Sequence, residues 1–282
     1  MKLLNTNKMQ KLKKYLVTIG LFLSCSLAKA QLTDGMTGLL HLVNAEVQKD
    51  GTLMIGGNML HRNNIPSPQW WVTDTGHYNT YNYYLNLTLF DRIEIAYICT
   101  LIKGRLDWPS MTWGKFVNQD RHFAGKIQLI KEGEWWKHMP AIAIGVSDPT
   151  TGAQPDGYYY GGVSGNGNGF FNRWFAAMSK HFTIKNVGEL GVHATYLYNK
   201  RTDYPLNGPA FGVNFRPELH KNLNVIAEYD AKTINVGAIY SLWADHFNFL
   251  FELQDGKYIS AGLVYKVNLK GENRWKSKLL DY

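Results

Sequence analysis

In the stretch "FNFLFEL" (247–253), Phe247, Phe249, Phe251 and Leu253 fall on one face of an extended chain and Asn248 and Glu252 on the other. A pleated strand turns successive side chains to opposite faces, so alternation with period two specifies a strand. The pattern recurs. "YNYYLNLTL" (81–89) sets Tyr81, Tyr83, Leu85, Leu87 and Leu89 against Asn82, Asn86 and Thr88. "RIEIAYICTLI" (92–102) and "LNVIAEY" (223–229) do the same, with Glu94 and Glu228 on the polar side. None of these apolar faces carries a charge. A soluble sandwich buries its apolar face and wets the other, whereas a transmembrane barrel gives its apolar face to lipid and lines a lumen with the polar one. Only 18% of residues are charged, few for the wet side of a soluble sheet this large. Aromatics reach 14%, which suits the interfacial girdles of a membrane barrel. The fold class that follows is all-β: a transmembrane antiparallel up-and-down barrel.

Read this way, the chain divides into about twelve strands: 52–61, 80–89, 91–103, 120–131, 139–148, 169–181, 188–199, 208–216, 221–230, 232–243, 246–255 and 257–269. Short links such as "FDR" (90–92) and "PELHK" (217–221) alternate with long ones at 62–79, 104–119, 149–169 and 200–208. Short turns on one rim and long loops on the other are the pattern of an outer-membrane barrel. An even strand number puts both chain ends on the short-turn, periplasmic side. Residues 223–242 and 247–267 also repeat hairpin for hairpin, aligning Asn224 with Asn248, Glu228 with Glu252, Gly237 with Gly262 and Tyr240 with Tyr265.

The chain begins with an address. Lys11, Lys13 and Lys14 precede an apolar run from Leu16 to Leu27, and Ala28 and Ala30 flank Lys29 in a cleavage-type site. The run is too short for a stable membrane helix. Removal as a signal peptide (1–30) is expected, with lipidation at Cys25 the rival. That segment carries six lysines and no acid, so the remainder holds 24 basic and 22 acidic residues, net +2 against +8 for the whole chain. The excess charge that would suggest nucleic acid leaves with the leader. Cys99 alone remains, so there is no disulfide framework. The expected organisation is a periplasmic segment at 31–51, a barrel over 52–269 and a basic periplasmic tail at 270–282.

Parity places Glu94, Glu228, Glu252, Lys126, Arg216, Lys266, Gln128 and His193 toward the lumen as candidate lining residues. They serve either permeation or a structural network that fills a modest barrel. Trp70, Trp71, Trp108, Trp113 and Tyr159 lie in or beside the long links, where aromatic rings stack on sugars or anchor at the membrane interface. Ser260, Gly262, Tyr265 and Val267 in "SAGLVYKV" (260–267) resemble the assembly signal carried by the last strand of outer-membrane proteins. No metal site or cofactor is expected; Asp148 and Asp156 beside the glycine-rich "GGVSGNGNG" (161–169) are a minor calcium candidate. No serine is evidently placed beside His193, so no catalytic residues are assigned and an enzyme is not expected.

The segments "GMTGLLHLVNAEVQKDGTLMIGGN" (35–58), "LFDRIEIAY" (89–97), "DRHFAGKIQLIKEGE" (120–134) and "PAIAIGVSD" (140–148) resemble, in order, the YjbH-like exopolysaccharide-associated outer-membrane proteins. "NAE" (44–46) stands where that family usually has "PSA". The resemblance implies an outer-membrane barrel of a Gram-negative bacterium that assists production or secretion of extracellular polysaccharide, as a passive conduit or scaffold. The resemblance adds a polysaccharide as partner; the barrel itself implies outer-membrane lipid, the last-strand pattern implies the barrel-assembly machinery, and the near-neutral charge left after the leader gives little support to nucleic acid. The competing classes are a small-solute porin and a structural or adhesion barrel acting through its extracellular loops.

Overall fold

A computed structural model describes residues 35–64, 72–73, 78–106, 112–149, 172–198 and 206–271. The strands are β1 (Thr52–Leu60), β2 (Val72–Thr73), β3 (Thr80–Leu89), β4 (Ile93–Leu106), β5 (Thr112–Ile130), β6 (Ala141–Ser147), β7 (Arg173–Ile184), β8 (Gly188–Tyr198), β9 (Gly208–Pro217), β10 (Leu223–Tyr229), β11 (Ile234–Leu242), β12 (Phe247–Gln254) and β13 (Tyr258–Asn268). Each long strand pairs antiparallel with its neighbour in sequence, and β1 pairs with both β3 and β13, which closes the sheet. β2 adds two residues beside the far end of β4 and is not a stave. Twelve staves therefore form a closed up-and-down barrel, which leaves no open sheet edge in the ring.

The two faces are inverted relative to a soluble protein. Every stave exposes a large apolar side chain, from Ile55 on β1 and Tyr83 on β3 through Phe123, Trp174, Tyr196 and Phe211 to Phe251 on β12 and Leu263 on β13. The residues between them, Asn58, Asn82, Thr100, His122, Ser179, Asn224 and Ser260 among them, are buried in the interior. Lipid is the solvent that makes an apolar belt around a polar interior stable. No helix among the described residues is long and apolar enough to cross a membrane; the strands do the crossing.

Thr52 and Asn268 pair at the rim where turns are short, at 90–92, 185–187, 218–222 and 243–246, with ten residues at 131–140. Phe90, Trp135, Trp136, Val187, Leu219 and Trp243 stand exposed on these turns, an apolar girdle at one interface. Phe90 and Asp91, and Trp243 to Asp245, take positive φ, the left-handed backbone that tight strand connections need. The opposite rim is uneven. Tight turns at 230–233 and 255–257 keep β10–β12 low, whereas, among the described residues, the outer part of β5 has β4 as its ladder partner and runs past the β5–β6 ladder.

Three expectations change. The link at 104–119 shrinks to 107–111, because β4 runs on to Leu106 and β5 starts at Thr112. Register shifts at Ile102/Lys103 and Gly104/Arg105 break the alternation there and hide the strand pair in the sequence. The strand expected at 169–181 occupies Arg173–Ile184. The segment at 31–51, expected to sit in the periplasm ahead of the barrel, lies inside the ring from residue 35 until it reaches the rim near Lys49. The expected signal peptide and most of the expected tail, from residue 272, lie outside the described residues.

Candidate functional site

The lumen is where this chain departs from a simple pore, and it is filled by residues 35–48. In that segment every described residue except Glu46 is buried. Its sequence has no period-two pattern, so it cannot join the sheet as an amphipathic strand; it folds back on itself, with Gly38 bridging Val43 and Leu39 N–H donating to Leu42 O at 2.7 Å. Met36, Leu39, Leu40, Leu42 and Val43 form one core with inward residues of the wall, including Tyr84, Ile98, Phe175, Ile226 and Leu250. Two wall glycines make room: a Cβ on Gly212 would come within 2.3 Å of a Leu39 methyl, and one on Gly237 within 3.0 Å of a Leu40 methyl.

The base of the segment rests on a buried ion pair. Lys126 Nζ lies 3.1 Å from Glu94 Oε2, on neighbouring strands β5 and β4 where the two residues are register partners. Glu94 accepts Thr37 N–H at 2.9 Å, the Thr37 hydroxyl, and Gln48 N–H at 3.1 Å. Lys126 donates to Thr37 O at 2.7 Å and to Glu46 O. Both limbs of the hairpin thus share one pair, and backbone groups supply the hydrogen bonds that a desolvated ion pair requires. Gln128 Nε2 adds a bond to Ala45 O at 2.7 Å, and Thr195 Oγ1 one to Val43 O at 2.7 Å.

The tip rests on three carboxylates. Glu228 accepts the successive backbone N–H groups of Leu40, His41 and Leu42 at 2.9, 2.7 and 3.3 Å. His41 Nδ1 lies 3.3 Å from Asp230 Oδ2 and its Nε2 2.7 Å from Glu252 Oε1. Each ring nitrogen thus faces a carboxylate oxygen, the setting that suits an imidazolium. Asp230, in the turn beyond β10, is held below the ordinary carboxylate range: burial works against this, but His41, Thr233 N–H and the Asn235 amide outweigh it. The pair Glu228 and Glu252, aligned by the internal repeat, converges on one residue.

His193 does have a serine beside it, contrary to the expectation above. Ser179 Oγ lies 2.9 Å from His193 Nδ1, and Asn214 Oδ1 2.8 Å from Nε2. β7 and β8 place Ser179 and His193 opposite one another in register, which a reading of single strands could not show. The arrangement has the residue types of a hydrolytic triad, but Ser179 Oγ accepts Ala45 N–H at 2.9 Å and is buried against it. In this state it positions the segment.

The structure places all eight candidate lining residues on the inner face, in different settings. Glu94, Lys126, Gln128, Glu228 and Glu252 grip residues 35–48 directly, and His193 does so through Ser179. Arg216 lies 3.5 Å from Glu189, and Lys266 3.2 Å from Asp245, both near the short-turn rim. Ser260 and Gly262 face inward, Gly262 against Asn58, while Tyr265 faces out and Val267 is half-buried. Trp70, Trp71, Trp108, Tyr159 and Asp156 lie outside the described residues; Trp113 pairs with Arg105 at the outer end of β5. Asp148 is buried beyond the end of β6, and no cluster fit to hold a metal occurs among the described residues. His41, Asp230, Ser179 and the whole of 35–48 are additions that strand parity did not supply.

No family model matches the chain, and no curated protein does. Among solved structures it is similar to an outer membrane channel from Pseudomonas putida F1, at 14% identity over 79% of this chain and 97% of that one, with a TM-score of 0.33. It is also similar to a triple mutant of the Rh. blastica porin, at 10% identity over 78% and 75%, with a TM-score of 0.27. These superpositions are too loose to support an argument; the fold assignment rests on the closed ladder and the inverted faces.

Proposed function

We propose that this chain is an outer-membrane barrel that assists the production or secretion of an extracellular polysaccharide as a scaffold, its lumen closed by its own N-terminal segment. The observation that carries the scaffold over the conduit is the burial of residues 35–48 inside the ring. A small-solute porin needs a continuous water path, and here the path is occupied by a packed apolar hairpin. The polysaccharide element comes from the resemblance to the YjbH-like proteins. It is supported by where that resemblance falls: 35–58 contains the lumenal hairpin, 89–97 contains Glu94, 120–134 contains Lys126 and Gln128, and 140–148 contains Ala141 and Ala143, which pack on Ala45. The matching stretches thus include the hairpin itself and the residues that hold its base, Glu94, Lys126 and Gln128; those that hold its tip lie outside them.

Two measurements test the reading. Purified protein in planar bilayers is expected to be electrically silent; a steady open conductance would favour a porin. Deletion of the gene is expected to reduce surface polysaccharide, with the intact protein restoring it; unchanged polysaccharide would remove the secretion role and leave a structural barrel.

A further inference from the structure

Sheets normally take up extra chain by adding it to a backbone ladder. Residues 35–48 are held differently: the contacts that fix them run from segment backbone to wall side chains, Glu94, Lys126, Gln128, Ser179, Thr195 and Glu228. That is how a groove holds a peptide ligand. The wall is also shaped for this occupant, with Gly212 and Gly237 lacking side chains where Leu39 and Leu40 lodge.

We infer that the inner wall is a binding site for a peptide hairpin, occupied at rest by residues 35–48, and that this segment is a displaceable plug latched at its tip by Glu228, Asp230 and Glu252. The inference rests on the closed-barrel reading above. The latch lies at the lowest stretch of the outer rim, since Asp230 belongs to the tight turn at 230–233 and Glu252 stands two residues from the end of β12. Release there opens the lumen by the shortest route. The tether is at the other end. Gly51, at φ 76°, turns the chain from plug into β1, and Asp50 is clamped by Phe90 N–H, by Lys270 and through its own N–H to Asp91. The plug therefore swings about a fixed base while its tip comes and goes.

The energetics favour closure without making it permanent. The tip supplies the positive side of the latch, three N–H groups and the imidazolium, to three carboxylates gathered from β10, the turn after it and β12. Removing His41 leaves Asp230 and Glu252 facing one another across the vacated site, a repulsion that an open, watered lumen relieves. Removing the charge of Glu228 weakens its hold on all three N–H groups.

The test uses the intact chain in planar bilayers with His41→Ala, Glu228→Gln and, as a surface reference, Lys257→Ala. Wild type and Lys257→Ala are expected to stay silent. The two latch variants are expected to show discrete openings, with an open fraction at least about tenfold higher, and a synthetic peptide of residues 35–48 is expected to close them. Amide exchange in the same variants is expected to quicken over residues 39–43 and to remain unchanged in β10 and β12. Latch variants that are folded, silent and as protected as wild type would overturn the inference and make the segment a permanent filler. Faster exchange spread through the staves would overturn it too, as loss of the barrel itself. A steady conductance in wild type would instead sink the closed-barrel reading, so the two failures are separable.

Discussion

At the scale of single residues, the interior is a set of charges that make sense only with their partners present. Lys126 and Glu94 are both fully buried, and each also bonds the plug backbone. Breaking a buried pair on one side costs about 3–5 kcal/mol, because the survivor keeps its desolvation cost. Lys126→Met is therefore expected to lower the temperature at which the folded band converts on a heat-shift gel, and Glu94→Gln added to it to recover most of the loss. An unchanged transition in Lys126→Met would remove the pair from its role. Asp50 gives a pH-dependent counterpart at the rim: Lys270, then the N–H of Phe90, hold its carboxyl below the ordinary range despite some burial. Its folded pKa is the lower one, so its support of the hinge is present above about pH 3.9 and is lost as pH falls through the depressed value. Lys270→Ala is expected to move the carboxyl titration of Asp50, read by NMR, back toward that ordinary value. The inward acids and bases were legible in the sequence because parity alone sets their face. Their partners were not: Asp230 reads as an ordinary turn residue, and Ser179 meets His193 only once β7 and β8 are in register.

Among the elements, the regular hairpins at the C-terminal end follow the alternation almost residue for residue, with β12 and β13 inside the expected spans. The tall β4–β5 hairpin did not, since two register shifts near its outer end interrupt period two. Among the described residues, 112–123 of β5 have β4 as their ladder partner and the β5–β6 ladder that continues the ring begins at Ala124, so closure does not draw on this projection there. Replacing residues 104–115 with a two-residue Asn-Gly turn is expected to leave the heat-shifted mobility intact; loss of the folded band would show that the projection carries part of the barrel. The plug escaped notice for the opposite reason. Its apolar residues, Met36, Leu39, Leu40, Leu42 and Val43, do not follow period two, and the helical spacing of Met36, Leu39, Leu40 and Val43 points to an element that the segment does not form. The available signal was indirect: an apolar segment without strand alternation ahead of a barrel, matched by glycines at inward positions of β9 and β11.

For the whole molecule, the claim that organises everything else is the inversion of inside and outside, with the interior closed. A positive charge on the lipid side should be costly near the middle of a stave, by about 2–4 kcal/mol. Phe251→Arg is accordingly expected to reduce folded yield in vesicles sharply, and a tolerated arginine there would argue against a lipid-facing belt. The most direct test is a nitroxide scan along β12, residues 247–253, in a Cys99→Ala background, restricted to variants that keep the folded band. Oxygen, which concentrates in lipid, is expected to reach positions 247, 249, 251 and 253, and neither oxygen nor a water-soluble nickel reagent to reach 248, 250 and 252. Nickel access at the odd positions would contradict the membrane belt, and nickel access at the even ones would contradict the closed lumen.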